Sequence, residues 1–211
     1  MSPLPFPRRG LYAITREGYP DTGALAAAVA AAIRGGAAVI QYRAKSAADP
    51  PAEAARLLSI CRAGGVPLIV NDDADLARCI GADGVHLGKD DWGLREARDL
   101  LGGDAIIGVS CYDSVERAVG AEAAGASYVA FGRFFPSRTK SGAPSACRET
   151  LIEAKARLRV PIVAIGGITA ENGGGLLGAG AGLLAVIDGV FGGDDPESAA
   201  RRFGTLFAPV S

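Results

Sequence analysis

The chain has 211 residues, 49% of them hydrophobic, and a formal net charge of −1. This length and composition predict one domain with enough apolar material for a sizeable core. A near-neutral chain has no overall field that would attract nucleic acid or an anionic membrane, so we expect neither as a partner. Any anionic ligand must therefore be met by positive charge that is concentrated locally.

The first residues and the cysteines restrict the cellular setting. Residues 1–9 are interrupted by prolines and lack the apolar run of a secretory signal, so we expect a flexible or capping segment. No stretch approaches the roughly 20 apolar residues that cross a bilayer. The four cysteines and the single histidine form no close-spaced metal or redox motif. The sequence thus predicts a cytoplasmic protein with reduced cysteines, and it leaves the oligomeric state open, a homo-oligomer included.

Short β-rich runs alternate with alanine-rich amphipathic segments along the whole chain. The predicted strands are residues 11–15, 39–43, 68–72, 84–88, 106–110, 128–132, 162–166 and 183–187. The predicted helices include residues 22–34, 52–63, 115–124, 150–158 and 196–207. Strictly alternating βα units require a parallel sheet covered by helices. Eight such units without a long linker predict a single-domain α/β protein, a (β/α)8 TIM barrel over residues 1–211, with an open doubly wound sheet as the alternative.

In such a barrel the functional groups come from the carboxyl ends of the strands and the loops that follow them. Along the second strand, alternation places Gln41, Arg43 and Lys45 on one face and the intervening apolar residues on the other. Two cations at the barrel mouth are costly to bury without partners. We therefore expect an anionic ligand there, with internal salt bridges to barrel carboxylates as the alternative.

Acidic residues follow the third and fourth strands. Carboxylates on adjacent strand ends can bind one hard cation, and Mg²⁺ commonly takes one or two of them with water and phosphate oxygens. We therefore expect Asp72 and Asp91 to bind Mg²⁺. Asp73 and Asp75 instead precede an apolar run and are interpreted as the cap and first-turn acid of a helix. His86, inside the fourth strand, is interpreted as a hydrogen-bonded structural residue and not as a general base.

The fifth and sixth strands end in hydroxyl and cationic residues. Ser110 ends the fifth strand, and the sequence places no base to make it a nucleophile. The sixth strand leads into residues 133–144, where hydroxyls and cations are bounded by proline and glycine. This composition suits a phosphate-gripping loop, although a merely solvated loop has a similar composition.

The last two strands end in Gly166-Gly167 and Ile187-Asp188. Barrels often bind phosphate at these two loops, where glycine lets main-chain N–H groups approach the anion. Residues 173–178 match the G-x-G-x-x-G pattern of dinucleotide-binding proteins. They lie within a predicted helix instead of at a strand-to-helix turn, so we discount a dinucleotide site.

Taken in chain order, these segments resemble the thiamine phosphate synthase family over nearly the whole chain. The matching segments are Gln41-Tyr42-Arg43-Ala44-Lys45 with the family's Q-x-R-x-K, Asn71-Asp72 with N-D, residues 84–91 with G-V-H-L-G-x-x-D, and Ser137-Arg138-Thr139-Lys140 with T-x-T-K. Ser110 falls on the family's substrate-contacting serine, and Gly166 or Gly167 on its phosphate-binding glycine. Each motif is modest alone, but the ordered set on successive strand ends is specific.

The resemblance implies a division of roles. The second-strand element, Asn71 and Ser110 would bind a pyrimidine diphosphate, and Asp72 and Asp91 would ligate Mg²⁺. The thiazole phosphate would meet residues at the last three strand ends: Ser137, Arg138, Thr139, Gly166, Gly167, Ile187 and Asp188. Lys140 would contact the diphosphate, and catalysis would depend on Arg43, Lys45, Ser110 and Lys140.

Two positions depart from the family pattern. Ser137 stands where threonine is usual, which keeps the hydroxyl, and Asp188 stands where serine is common. A carboxylate aimed at a phosphate should repel it. Our hypothesis is that main-chain N–H groups bind the phosphate while the Asp188 side chain turns away to cap the next turn.

The implied reaction is a dissociative substitution that joins the two small-molecule substrates and releases pyrophosphate. Two alternatives stay open from the residues alone. The related thiazole tautomerase has the same barrel without metal chemistry, and it would not need the cationic second strand or the paired acidic strand ends. A non-catalytic ligand-binding barrel would not need to retain these residues either.

Overall fold

The computed structural model describes residues 3–88, 93–136 and 145–208. Eight parallel strands follow one another around a closed barrel in chain order, and the first pairs with the last. They are β1 (Gly10–Ile14), β2 (Ala37–Tyr42), β3 (Leu68–Asn71), β4 (Gly84–Leu87), β5 (Ile106–Tyr112), β6 (Tyr128–Phe131), β7 (Ile162–Ile165) and β8 (Leu183–Val186). The predicted (β/α)8 TIM barrel is thus confirmed, and every predicted strand is present.

Helices follow the strands and cover the outside of the barrel. They are α1 (Thr22–Arg34), α2 (Pro50–Ala63), α3 (Ala74–Ile80), α4 (Leu94–Leu101), α5 (Val115–Ala123), α6 (Arg148–Arg157), α7 (Gly174–Ala179), α8 (Asp188–Phe191) and α9 (Pro196–Gly204), with a 3-10 turn at Thr205–Phe207. The glycine-rich residues 173–178, which match the G-x-G-x-x-G pattern, lie largely within helix α7, as predicted. No helix among these described residues is long and apolar enough to span a membrane.

Aspartates fix where several helices begin. Asp73 accepts a hydrogen bond from the main-chain N–H of Leu76 at 2.8 Å and so caps α3, while Asp75 lies in the first turn. Asp21 caps α1 in the same way, through the N–H of Ala24 at 2.8 Å. Each cap satisfies an N–H group that the helix cannot pair and typically stabilises a protein by about 1 kcal/mol. The structural interpretation of Asp73 and Asp75 is confirmed.

The core has an outer and an inner layer. Outward residues such as Ile40 and Tyr42 pack against the helices, and inward residues such as Val39 and Ile69 fill the barrel interior. This alternation is the two-residue period of a strand. It places the odd-numbered residues of β2 inside the barrel and brings polar side chains to its upper interior.

The amino-terminal segment closes the bottom of the barrel. The ring of Phe6 stacks on that of Tyr128, with centroids 4.1 Å apart and planes 2° apart. The buried carboxylate of Asp83 accepts hydrogen bonds from the main-chain N–H groups of Leu4 and Leu68, both at 2.9 Å. Leu4 and Phe6 of this segment therefore pack against the bottom of the barrel.

Candidate active site

A cavity of about 350 Å³ lies at the carboxyl ends of the strands. All eight strands or the residues that follow them contribute to its wall, so it is the central opening of the barrel. The lining residues are Tyr12, Ile14, Gln41, Arg43, Asn71, His86, Ser110, Tyr112, Ala130, Gly132, Arg133, Pro136, Val163, Ile165, Gly166, Gly167, Ile168, Thr169, Ala185, Val186, Ile187, Asp188 and Gly189. Apolar walls with a few polar groups at the rim are typical of small-molecule sites.

The second strand contributes Gln41 and Arg43 to the cavity wall. Tyr42 faces the other way, because its hydroxyl donates to Glu53 Oε1 of α2 at 2.9 Å. Burial and the Glu53 carboxylate both raise the pKa of this phenol. The placement of Tyr42 among the ligand-binding residues is therefore wrong for its side chain, since alternate residues of a strand point to opposite faces.

Lys45 lies three residues beyond the end of β2 and is exposed. Its main-chain N–H donates to Glu17 Oε1 at 2.5 Å. Strand alternation does not extend to it or to Ala44, and neither lines the cavity. The predicted row of Gln41, Arg43 and Lys45 on one face holds for its first two members, because Arg43 directly follows β2 and is still held to β1 by Thr15, whereas Lys45 lies farther from the strand end.

Thr15 holds the main chain of Arg43 and was not among the predicted site residues. Its buried hydroxyl accepts from the Arg43 N–H at 2.9 Å and donates to the Arg43 carbonyl at 3.2 Å. This pair of bonds continues the pairing of β1 with β2 past the ends of both strands. The sequence signal that could have identified Thr15 was a threonine at the end of a predicted strand. Its two bonds hold the main chain of Arg43, whose side chain lines the cavity.

The third and fourth strands bring Asn71 and Asp72 to the rim. Asn71 pairs with His86 across the sheet, and the Asp72 N–H donates to the His86 carbonyl at 2.8 Å. Asp72 has a φ of 64°, a left-handed conformation that is uncommon outside glycine and is tolerated best by aspartate and asparagine. The exposed Asp72 carboxylate accepts from Asn71 Nδ2 at 2.6 Å through Oδ2.

The second predicted metal ligand, Asp91, lies outside the described residues, as does Trp92. Within residues 3–88, 93–136 and 145–208, no group of three or more histidine, cysteine or acidic side chains is arranged to hold a metal ion. The expected Mg²⁺ site thus stays a prediction.

A line of hydrogen bonds crosses the barrel interior beneath the cavity. Gln41 Nε2 donates to the Tyr12 hydroxyl at 2.8 Å, and the hydroxyls of Tyr12 and Tyr128 lie 2.7 Å apart. His86 Nδ1 lies 2.9 Å from the Tyr128 hydroxyl, and His86 Nε2 lies 2.9 Å from Ser110 Oγ. Burial raises the pKa of both phenols, so both stay protonated at neutral pH.

This line bears on two predictions. His86 is hydrogen-bonded at both ring nitrogens, as the interpretation as a hydrogen-bonded histidine expected, and it also lines the cavity. The sequence did not indicate that an imidazole meets Ser110, because the two residues are 24 positions apart and meet across adjacent strands. The contact differs from a nucleophilic triad, since the second ring nitrogen meets a neutral phenol instead of a carboxylate.

Glycines allow the sixth and seventh loops to approach each other. Gly166 has a φ of 106°, and a Cβ there would lie 2.4 Å from Arg133 Cβ. The Phe134 and Phe135 N–H groups donate to the carbonyls of Ile165 and Gly166 at 3.2 and 3.0 Å. The glycines therefore serve loop packing as well as the cavity wall. The other predicted residues of this region, Ser137, Arg138, Thr139 and Lys140, lie outside the described residues.

Helix α8 begins at the cavity rim. Ile187 is its N-cap residue and makes no side-chain capping bond, and Asp188 is the first residue of the helix. Asp188 and Gly189 line the cavity. The hypothesis that the Asp188 side chain caps the next turn is therefore wrong, because this short helix is closed by main-chain bonds from Val190 and Phe191 to the Ile187 carbonyl.

The fold and the cavity together define a barrel enzyme for small molecules that carry both anionic and apolar groups. Arg43 and Arg133 contribute cationic side chains to the cavity wall, and the glycine-rich loops that follow β7 and β8 contribute main chain to it. Active sites of this fold lie at the carboxyl ends of the strands, and phosphate commonly binds at the last two loops.

Comparison with known proteins identifies the family. Residues 11–190 match the family model described as thiamine monophosphate synthase. The chain is 56% identical over 206 residues to the thiamine-phosphate synthase of Methylococcus capsulatus, covering 97% of this chain and 92% of that one. It is 51% identical to the thiamine-phosphate synthase of Thiobacillus denitrificans, covering 94% and 95%. The chain belongs to the thiamine monophosphate synthase family, and it is a transferase whose activity is the synthesis of thiamine phosphate.

Solved structures agree with this family. The thiamine phosphate pyrophosphorylase from Pyrococcus furiosus superposes with a TM-score of 0.85 at 32% identity and covers 95% of this chain and 96% of that one. A 3-hexulose-6-phosphate synthase superposes with a TM-score of 0.68 at 18% identity, covering 93% of this chain and 99% of that one. At that identity the second likeness shows the barrel fold alone.

Proposed function

We propose that this chain joins a pyrimidinylmethyl diphosphate to a thiazole phosphate by a Mg²⁺-assisted dissociative substitution. The observation that carries the proposal is the pairing of two kinds of wall in one cavity. Gln41, Arg43 and Asn71, from β2 and β3, form a polar part of the wall, and the glycine-rich loops after β7 and β8 form a separate part, with β1 between β8 and β2. Two substrates with separate anionic groups would be held with their reacting atoms between these walls.

The residues at the third strand end fit a magnesium ion. Asp72 offers an exposed carboxylate with hard oxygen ligands, and its backbone has a left-handed conformation. Asn71 holds one of the two carboxylate oxygens by a hydrogen bond. Asp72 and Asp91 would hold the ion, in keeping with the preference of Mg²⁺ for one or two carboxylates plus phosphate oxygens. The ion would supply positive charge against the diphosphate that becomes the leaving group.

The substitution needs no protein nucleophile. The bond between the exocyclic methylene carbon and the diphosphate oxygen breaks, and the electron pair leaves with the pyrophosphate. The aminopyrimidine stabilises the resulting cation, and the thiazole nitrogen donates its lone pair to form the new carbon–nitrogen bond. Arg43, which lines the cavity, would stabilise the charge that builds on the leaving group, and Lys45 and Lys140 are predicted to share this role.

The apolar wall would protect the cation from water. Ile14, Val163 and Ile165 line the cavity interior. Water at this position would capture the cation and waste the pyrimidine substrate, so exclusion of water favours attack by the thiazole nitrogen. Ser110, two residues before the end of β5, would donate a hydrogen bond to the pyrimidine.

Phosphate binding is assigned to the loops of β7 and β8. Main-chain groups of Gly166, Gly167 and Gly189 lie on the cavity wall, and α8 begins beside them. Main-chain N–H groups at such positions bind phosphate without a side chain. Ser137, Arg138 and Thr139 are predicted to complete this site from the sixth loop.

A coupled assay of pyrophosphate release tests the proposal. Release should require the pyrimidine diphosphate, the thiazole phosphate and Mg²⁺ together, and Lys140→Ala should lower it sharply. Pyrophosphate-free isomerisation of a thiazole would favour the tautomerase alternative instead. We further propose that the protein acts in the cytoplasm on small molecules alone, without nucleic acid or membrane partners.

A further inference from the structure

We propose that Tyr12 and Tyr128 are positioning residues that set the direction of a hydrogen-bonded chain through His86. In this chain His86 donates from Nε2 to Ser110, and the Ser110 hydroxyl proton is left to donate to the bound pyrimidine. The proposal deepens the proposed function and rests on it only for the identity of the ligand that Ser110 meets.

The five side chains form one continuous line from β2 to β5. The order is Gln41 Nε2, Tyr12 hydroxyl, Tyr128 hydroxyl, His86 Nδ1 and Nε2, and Ser110 Oγ, with every contact between 2.7 and 2.9 Å. Tyr12 and Tyr128 are almost fully buried, with 1% and 0% of their surface exposed. Buried hydroxyls need hydrogen-bond partners, so each proton in this line has a defined acceptor.

Proton counting gives the line its direction. The amide nitrogen of Gln41 can only donate, so the Tyr12 oxygen accepts and the Tyr12 proton goes to Tyr128. The single proton of Tyr128 then goes to His86 Nδ1. A neutral imidazole that accepts at Nδ1 carries its hydrogen on Nε2, which donates to Ser110. The serine is therefore an acceptor from histidine, opposite to its state in a nucleophilic pair.

The barrel is shaped to hold the phenols in this line. Gly108 of β5 lies against Tyr128, and a Cβ added at Gly108 would fall 2.0 Å from Tyr128 Cζ. The ring of Phe6 stacks on the ring of Tyr128, with the two centroids 4.1 Å apart. Gly108 and Phe6 thus fix the ring of Tyr128, whose hydroxyl meets Nδ1 of His86.

The experiment uses the fact that His86 is the only histidine in the chain. Untagged protein labelled with ¹⁵N-histidine gives one pair of ring resonances, read at pH 8, where an ordinary imidazole is neutral. We expect a protonated Nε2 and an unprotonated Nδ1. An Nδ1 that carries the hydrogen in the wild-type protein would overturn the proposed direction.

Variants test the positioning role. Tyr128→Phe removes the donor to Nδ1, so we expect the ring resonances to move toward a mixture of tautomers and kcat to fall about tenfold. Tyr12→Phe leaves the Tyr128 hydroxyl in place as the donor to His86 Nδ1. The His86 tautomer should therefore be retained in this variant, and kcat should fall less than in Tyr128→Phe. Tyr19→Phe, at a half-buried tyrosine that does not line the cavity, is the matched control and should change neither measurement.

The two proposals fail in different ways. Unchanged tautomer and unchanged kcat in Tyr128→Phe would overturn the positioning role even if pyrophosphate is released normally. Absence of pyrophosphate release in the wild type would overturn the proposed function, while the tautomer can still be read. If Tyr128→Phe does not fold, the wild-type spectrum decides the direction, and the kcat of Tyr12→Phe decides the role, since an unchanged value overturns it.

Discussion

The two ends of the barrel use the same residue type for different purposes. At the bottom, Asp83 is 1% exposed, and its two oxygens accept from the main-chain N–H groups of Leu4 and Leu68. At the top, Asp72 is exposed at a strand end and Asp188 lines the cavity. A carboxylate that is saturated by main-chain donors joins segments of the fold, whereas one that faces the cavity can meet a ligand.

The difference follows from strand direction. All eight strands run the same way, so every loop that follows a strand opens at the top and every loop that precedes one closes the bottom. Phe6 packs at the bottom, and the described residues at the top line the cavity. Substitutions at the two ends should therefore separate activity from stability.

The largest expected effect is at the top. Asp72→Asn keeps the shape and the left-handed backbone but removes the charge, so we expect kcat to fall about 10²- to 10³-fold with Mg²⁺ present. Thermal unfolding should show little change, because the side chain is exposed. The neighbouring cap variant Asp73→Ala should show the reverse, a loss of about 1 kcal/mol in stability with near-normal kcat. Near-normal turnover in Asp72→Asn would contradict the metal assignment.

The corresponding change at the bottom should act on stability alone. Asp83→Ala leaves two main-chain N–H groups without their acceptor, and we expect the free energy of unfolding to fall by about 3 kcal/mol. Chemical denaturation measures this loss, and kcat per folded molecule should stay within about twofold of the wild type. A large loss of kcat in the folded variant would mean that the two ends are coupled.

Alkaline pH should lower the free energy of unfolding of the whole domain. Burial raises the pKa of the Cys61 thiol, and of the Cys111 thiol, from 9.0 to about 12, and Asp83 adds to the effect at Cys61. Between these values the unfolded chain loses thiol protons that the folded protein keeps. Stability should be fully retained below pH 9 and should fall above it by about 1.4 kcal/mol per pH unit for each thiol.

Urea unfolding between pH 8 and pH 11 measures this slope. Cys61→Ala and Cys111→Ala should each flatten it, even though each variant is less stable at pH 8 because it loses buried volume. A slope that neither substitution changes would assign the alkaline loss to other groups.

The smallest expected effect is at Asp188. Replacement by serine removes a negative charge from the cavity wall, so the KM for the thiazole phosphate should fall a few-fold, roughly 1 kcal/mol or less. Since Asp188 makes no capping bond in α8, the thermal midpoint should stay within about 1 °C of the wild type. A marked loss of stability in Asp188→Ser would instead restore the capping role.

Much of the fold could be predicted from patterns that are local in the chain. Alternating strands and helices gave the barrel, and an aspartate before an apolar run identified the cap of α3. The cavity positions of Gln41 and Arg43 followed from alternation and from the rule that strand ends carry function, and that of Asn71 followed from the family resemblance. These predictions succeeded because each depends on the period or the cap of one element.

Other predictions failed where contact between elements decides the outcome. Lys45 was placed by extending a strand that ends at Tyr42, and Asp188 was given a cap that main-chain bonds supply. The contact of His86 with Ser110 was missed because it joins different strands. No local pattern reports the register between neighbouring strands.

The sequence by itself determined the order of eight strands and helices, the helix caps and the polar residue types at the strand ends, because these depend on backbone periods and on side chains close in the chain. Only the tertiary structure decided which carboxylate is structural, where β2 ends, and how three polar side chains join Gln41 to Ser110 across the barrel. Closing the barrel sets these distances, because it fixes the register of every strand at once.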